Sequence, residues 1–94
     1  MRFELQPADD GKHKYVGIFT QDDHVKKVPF GAKGYEDLTT HKNLLRKERY
    51  IQRHRTREDW TVPTNKGTLS RYILWENPSL QTSVRLFKQR FNLS

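Results

Sequence analysis

The sequence predicts an α+β fold in a single small domain: a three-stranded antiparallel β-meander over residues 1–37, then about three helices over residues 38–94. Three observations lead there. The first third alternates apolar and polar residues at period two and is broken by two acidic turns. From Thr40 the chain runs to Asp59 without glycine or proline and is rich in helix formers. A length of 94 residues leaves room for one core only.

In "MRFELQ", Phe3 and Leu5 share one face and Arg2, Glu4 and Gln6 the other, as in a half-buried strand. "PADDGK" turns the chain, with Asp10-Gly11 the strongest local signal. "KYVGIF" is aromatic and β-branched and reads as the second strand. "TQDDH" turns again, and "VKKVPF" reads as the third. Pro29 lacks an N–H, so this strand belongs at an edge. "HKNLLRKERYIQRHRTRED" then reads as one helix, capped by Thr39 or Thr40. "WTVPTNKG" is a loop, and "TLSRYILWE" places Leu69, Tyr72 and Ile73 at the spacing of a short helix. Asn77-Pro78 reads as a cap and first helical position for a last helix that buries Leu80, Val84, Phe87 and Phe91.

Charge narrows the function. Of the net +7, residues 1–37 contribute −1 (six Lys/Arg, seven Asp/Glu) and residues 38–94 contribute +8 (twelve against four). A localised basic surface attracts polyanions: nucleic acid, acidic protein surfaces or anionic lipid. With no cysteine, disulfides and cysteine-based zinc sites are excluded. No apolar run approaches a membrane span and "MRFELQPADD" has no signal-peptide core, so the chain reads as soluble and untargeted.

On a helical wheel, Lys42, Arg46, Arg49, Arg53 and Arg57 fall within an arc of about 80°. Leu44 and Ile51 lie opposite, as an apolar seam, with Lys47 and His54 close to it. Like charges at i,i+4 cost a few tenths of a kcal/mol each, roughly, and a neutralising partner would remove that cost. The preponderance of arginine suits bidentate phosphate or carboxylate contacts. Tyr50 flanks the ridge, where it would stack on a base or cover arginine stems. The alternative is a solvated face paired internally with Glu58, Asp59 and the acids of the first third.

"GAKG", residues 31–34, matches the GxxG loop that clamps nucleic-acid backbone in KH domains. It follows a strand here and not a helix, so a turn with Gly31 or Gly34 at positive φ is the competing reading, with Lys33 lending a contact at the near end of the ridge. His13, His24, His41 and His54 lack a helical ligand pair. The acid pairs Asp22-Asp23, Glu36-Asp37 and Glu58-Asp59 would suit Mg²⁺ in nuclease chemistry, yet no nucleophile–base constellation accompanies them. The chain therefore reads as a non-enzyme without metal or cofactor. Tyr72, Trp75, Phe87 and Phe91 are candidate protein-interface or core aromatics.

Three blocks in order, "KKVPFGAKGYED", "THKN" running into "RKERYIQRHRTREDW", and "GTLSRYILWENPSLQTS" with "FKQRFNL", resemble a small basic protein family of large nucleocytoplasmic DNA viruses, including chlorella virus and mimivirus relatives. The chain departs from that pattern at Leu38, where an aromatic is expected, and at Asn43, where an acid is expected. The resemblance implies a viral product of the virion or of the host cytoplasm and viral factory, with no catalytic residues to carry over. Two uses fit. One is a virion-associated module binding nucleic-acid backbone without sequence preference; the other is a minor capsid or cement protein docked on acidic subunits.

Overall fold

Strands β1 (Arg2–Pro7), β2 (His13–Gln21) and β3 (His24–Ala32) form one antiparallel sheet in the order β1-β2-β3. The computed structural model describes residues 1–94 and adds four helices to this sheet, confirming the α+β reading. Register pairs Phe3 with Phe19 and Tyr15 with Phe30, so the large rings of all three strands point to one side. Arg2, Glu4, Gln6 and Lys27 occupy the other side and are exposed. Pro29 sits on the edge strand, where its missing N–H breaks no ladder.

The helices are α1 (Leu38–His41), α2 (Leu44–His54), α3 (Lys66–Leu69) and α4 (Leu80–Arg90). α3 continues directly into a π-helical turn, Ser70–Leu74. The core joins Phe3, Phe19, Val28 and Phe30 of the sheet to Leu69, Ile73, Leu74 and Phe87 of the helical layer. Leu80, Val84 and Phe91 pack against it while remaining partly exposed.

The single basic helix of the sequence reading is two helices. Lys42 adopts the left-handed conformation (φ 57°) and closes α1 by donating its N–H to the Leu38 carbonyl. Asn43 then caps α2, its Oδ1 accepting from Leu45 N at 3.0 Å and Arg46 N at 3.3 Å. An asparagine that satisfies two free backbone donors is worth more as a cap than inside a helix, which is why the helix restarts here. Neither Thr39 nor Thr40 caps α1. Asp37 does, accepting from Thr39 N, while Thr40 Oγ1 accepts in return from the Asp37 N–H. At the last helix, Asn77 forms an Asx turn with Ser79 N, and Ser79 itself caps α4 by accepting from Thr82 N.

The "GAKG" segment is a turn. Gly31 (φ 77°) and Gly34 (φ 91°) both require the left-handed region. A Cβ at Gly31 would also lie 2.9 Å from Leu74 Cδ1, whereas Gly34 faces open space. Gly31→Ala is therefore expected to cost more than Gly34→Ala, which carries only the backbone penalty of about 1–2 kcal/mol. Urea unfolding of the two variants checks the order; equal midpoints would contradict it.

Candidate polyanion-binding cleft

The open end of the β2–β3 pair, away from its hairpin turn, together with the 35–37 segment, α2 and α3, encloses a cleft of about 790 Å³. Its shape follows from how α2 is attached. Tyr50, 8% exposed, is the one buried residue of that helix. Its ring stacks on Trp75 with centroids 4.4 Å apart and planes 5° off parallel, and on its other side meets His54 at 4.3 Å. Lys47 Nζ donates to the Glu76 carbonyl at 2.7 Å, a second tie to the same region. These contacts hold α2 against the π-helical segment and stand its arginine side over the cleft.

Burial corrects two expectations about α2. Leu44 is 65% exposed, so the inward seam runs through Lys47, Tyr50, Ile51 and His54 instead. Tyr50 is stacked inside the protein and offers no face to a base. Burial, with the Glu58 charge second, pushes its phenol above the usual tyrosine range. The sign of the stability effect follows. Below about pH 10 both folded and unfolded chains keep this proton; above it the unfolded chain releases it first, so stability falls as pH rises. Tyr50→Phe should flatten this alkaline loss, read as urea midpoint against pH.

The cleft sorts its charges in an informative way. Two of its three acids are tied to a cation, and the third lies against a histidine. Glu36 accepts from Arg46 Nη1 at 2.7 Å, and that hydrogen bond holds its carboxyl below the usual range. Asp37, 2% exposed, holds Lys14 Nζ at 2.5 Å. Glu58 Oε2 lies 2.6 Å from His54 Nδ1 without hydrogen-bond alignment and has no other hydrogen-bond partner. Arg49, Arg53, Lys12 and Lys66 line the same cleft and form no ion pair. Across from α2, Lys66 Nζ stands 3.5 Å from His13 Nε2, while His13 Nδ1 is held by Asp10 at 2.6 Å. Below Glu58, Gly67 leaves room for the carboxylate: a Cβ there would fall 2.1 Å from Glu58 Oε1.

Of the predicted ridge, the structure brings Arg46, Arg49 and Arg53 to the cleft. Lys42 precedes α2 and is exposed. Arg57 follows α2 and turns back to donate to the Arg53 carbonyl at 3.3 Å. Lys33 is exposed on the turn and outside the cleft lining, and its N–H is taken by the Lys12 carbonyl. Among the aromatic candidates, Phe87 is 1% exposed and belongs to the core, so it cannot meet a partner. Phe91 packs on Phe87, Trp75 lies in the Tyr50 stack, and Tyr72 lies under Arg71 and Arg90 at 4.8 and 4.2 Å. All three are half-buried and already occupied.

Sequence reasoning passed over Lys12, Lys66 and Tyr35. The first two become neighbours of the arginines only through the fold. Tyr35 carried a local signal, an aromatic next to a glycine turn. It is 73% exposed and lines the cleft. No helix is long and apolar enough to cross a membrane.

Compared with known proteins, residues 3–54 match the model of a family of unknown function, DUF5754. The match spans the sheet, α1 and α2, and ends with the last residue of the arginine-bearing helix. No curated protein and no solved structure matches the chain.

Proposed function

Because the chain belongs to the DUF5754 family, a family of unknown function, we infer its role from its own geometry: a non-enzymatic module that grips nucleic-acid backbone without reading base sequence. One observation carries the reading. Four cations, Arg49, Arg53, Lys12 and Lys66, line a single cleft without an ion pair, while Glu36 and Asp37 of that cleft are held by Arg46 and Lys14 and Glu58 lies against His54. Unpaired cations held side by side repel one another, and phosphates entering between them remove that repulsion and release condensed counterions. The test is the salt dependence of binding. Four phosphate contacts predict a slope of log K against log[salt] of about −3 to −4. A slope near zero, or no binding at low salt, would sink the reading.

Arg46 is a latent fifth contact, since Glu36 neutralises it at 2.7 Å. Glu36→Gln is expected to free it, tightening binding and steepening the slope by nearly one further unit. An unchanged slope would mean that Arg46 does not reach the ligand.

The viral resemblance implies a product of the infected cell or of the particle, and the backbone-binding reading would place it with the genome. The second reading, a shell protein, draws on the outer sheet face, where Val25 is 58% exposed and Val16, Ile18 and Pro29 are partly exposed. Particle fractionation separates the two, nucleoid against emptied shell.

A further inference from the structure

Resting on the backbone-binding reading, we propose that the cleft takes single-stranded nucleic acid, with one base stacked on Tyr35 and the flanking phosphates on Arg49, Arg53, Lys12 and Lys66. Tyr35 is the only aromatic side chain left mostly exposed, at 73%. The other ten rings are buried or half-buried, most of them in mutual stacks or cation–π contacts. Its placement is specific. It lies three residues after the Ala32 end of β3 and lines the same cleft as the four unpaired cations. Its N–H donates to the Ala32 carbonyl at 3.3 Å, and Asp37, two residues on, is tied to Lys14, so the backbone that carries the ring is anchored on both sides.

An exposed ring beside unpaired cations is the pair of features that single strands require. Their phosphates need cationic contacts, and their unstacked bases need an aromatic face. A duplex uses only the first. Its bases stack on each other inside a convex rod, and they cannot reach a ring set in the wall of a concave cleft. Stacking tolerates any base, because every base has a π-face, so the preference concerns strandedness and not sequence. The split of labour is then clear. The cations set affinity and its salt dependence, and Tyr35 sets the preference for unpaired strands.

The test compares a short oligothymidylate, an RNA oligomer of equal length and a duplex of equal length by fluorescence anisotropy. The proteins are the full chain, Tyr35→Ala and Tyr35→Phe. The expected result is tighter binding of both single strands than of duplex. Tyr35→Ala should weaken single-strand binding by about 5- to 150-fold without changing its salt slope. Tyr35→Phe should bind like the parent, since the ring and not the hydroxyl does the stacking. Because Tyr35 is exposed and supports no core contact, the folded state of each variant is readily confirmed by circular dichroism. Equal binding of duplex and single strands, with Tyr35→Ala silent and the salt slope intact, would overturn this proposal and leave backbone binding standing. No binding of any nucleic acid at low salt would overturn both.

Discussion

Reversing Arg49 and Arg53 together to glutamate is expected to weaken nucleic-acid binding at low salt by at least about 100-fold. Each is an unpaired guanidinium on the cleft wall, and a charge-assisted hydrogen bond contributes about 1.5–3 kcal/mol. Two such losses exceed the threshold before the added repulsion of the new carboxylates is counted. With two of four contacts gone, the salt slope should roughly halve. Stability should change little, because both side chains are exposed and lie one helical turn apart as like charges. A matched control carries the argument. Arg55 and Arg85 are exposed and lie outside the cleft, so Arg55→Glu with Arg85→Glu makes the same change in net charge. If this pair weakens binding as much as the first, total charge governs and the cleft has no special role.

Phe87→Ala is expected to have the largest effect on stability, about 3–5 kcal/mol, as for other buried phenylalanines. Its ring is 1% exposed and meets Phe3 at 4.8 Å, Phe91 at 5.0 Å and Phe19 at 6.4 Å. These contacts join α4 to β1 and β2, so the truncation opens a cavity between the two layers. A domain of this size has roughly 5–15 kcal/mol in total, and the variant would lose about a fifth or more of it. Urea unfolding should show a lower midpoint at unchanged slope. A loss below about 1 kcal/mol would mean that the core closes over the gap.

The sheet was readable from sequence because its information is local. Alternation at Phe3 and Leu5, the Asp10-Gly11 turn and Pro29 each state one feature of the meander within a few residues. The helix boundaries were harder. A lysine at positive φ carries no compositional mark, so Lys42 hid the break in the basic stretch, although Asn43 beside it is a strong cap residue. The site was half visible. Helical periodicity found Arg49 and Arg53, but Lys12 and Lys66 line the same cleft from other elements, Lys12 from far earlier in the chain and Lys66 from beyond an intervening loop. Dividing the chain into a near-neutral part and a basic part concealed this, because Lys12 and Lys14 of the near-neutral part face the arginines of the basic one. Pairing also escapes sequence: only the fold shows that Glu36 silences Arg46 while Arg49 stays free.

The single buried residue of α2 has a kinetic meaning. A helix of 11 residues fastened by one tyrosine stack, one lysine tie and the exposed Arg46–Glu36 pair is a short lever on a much firmer body. Its amides should exchange with solvent through openings far less costly than global unfolding, while those of β2 wait for the whole domain to open. A ligand gripping Arg49 and Arg53 closes this lever, so occupancy would be recorded as slowed exchange confined to Leu44–His54.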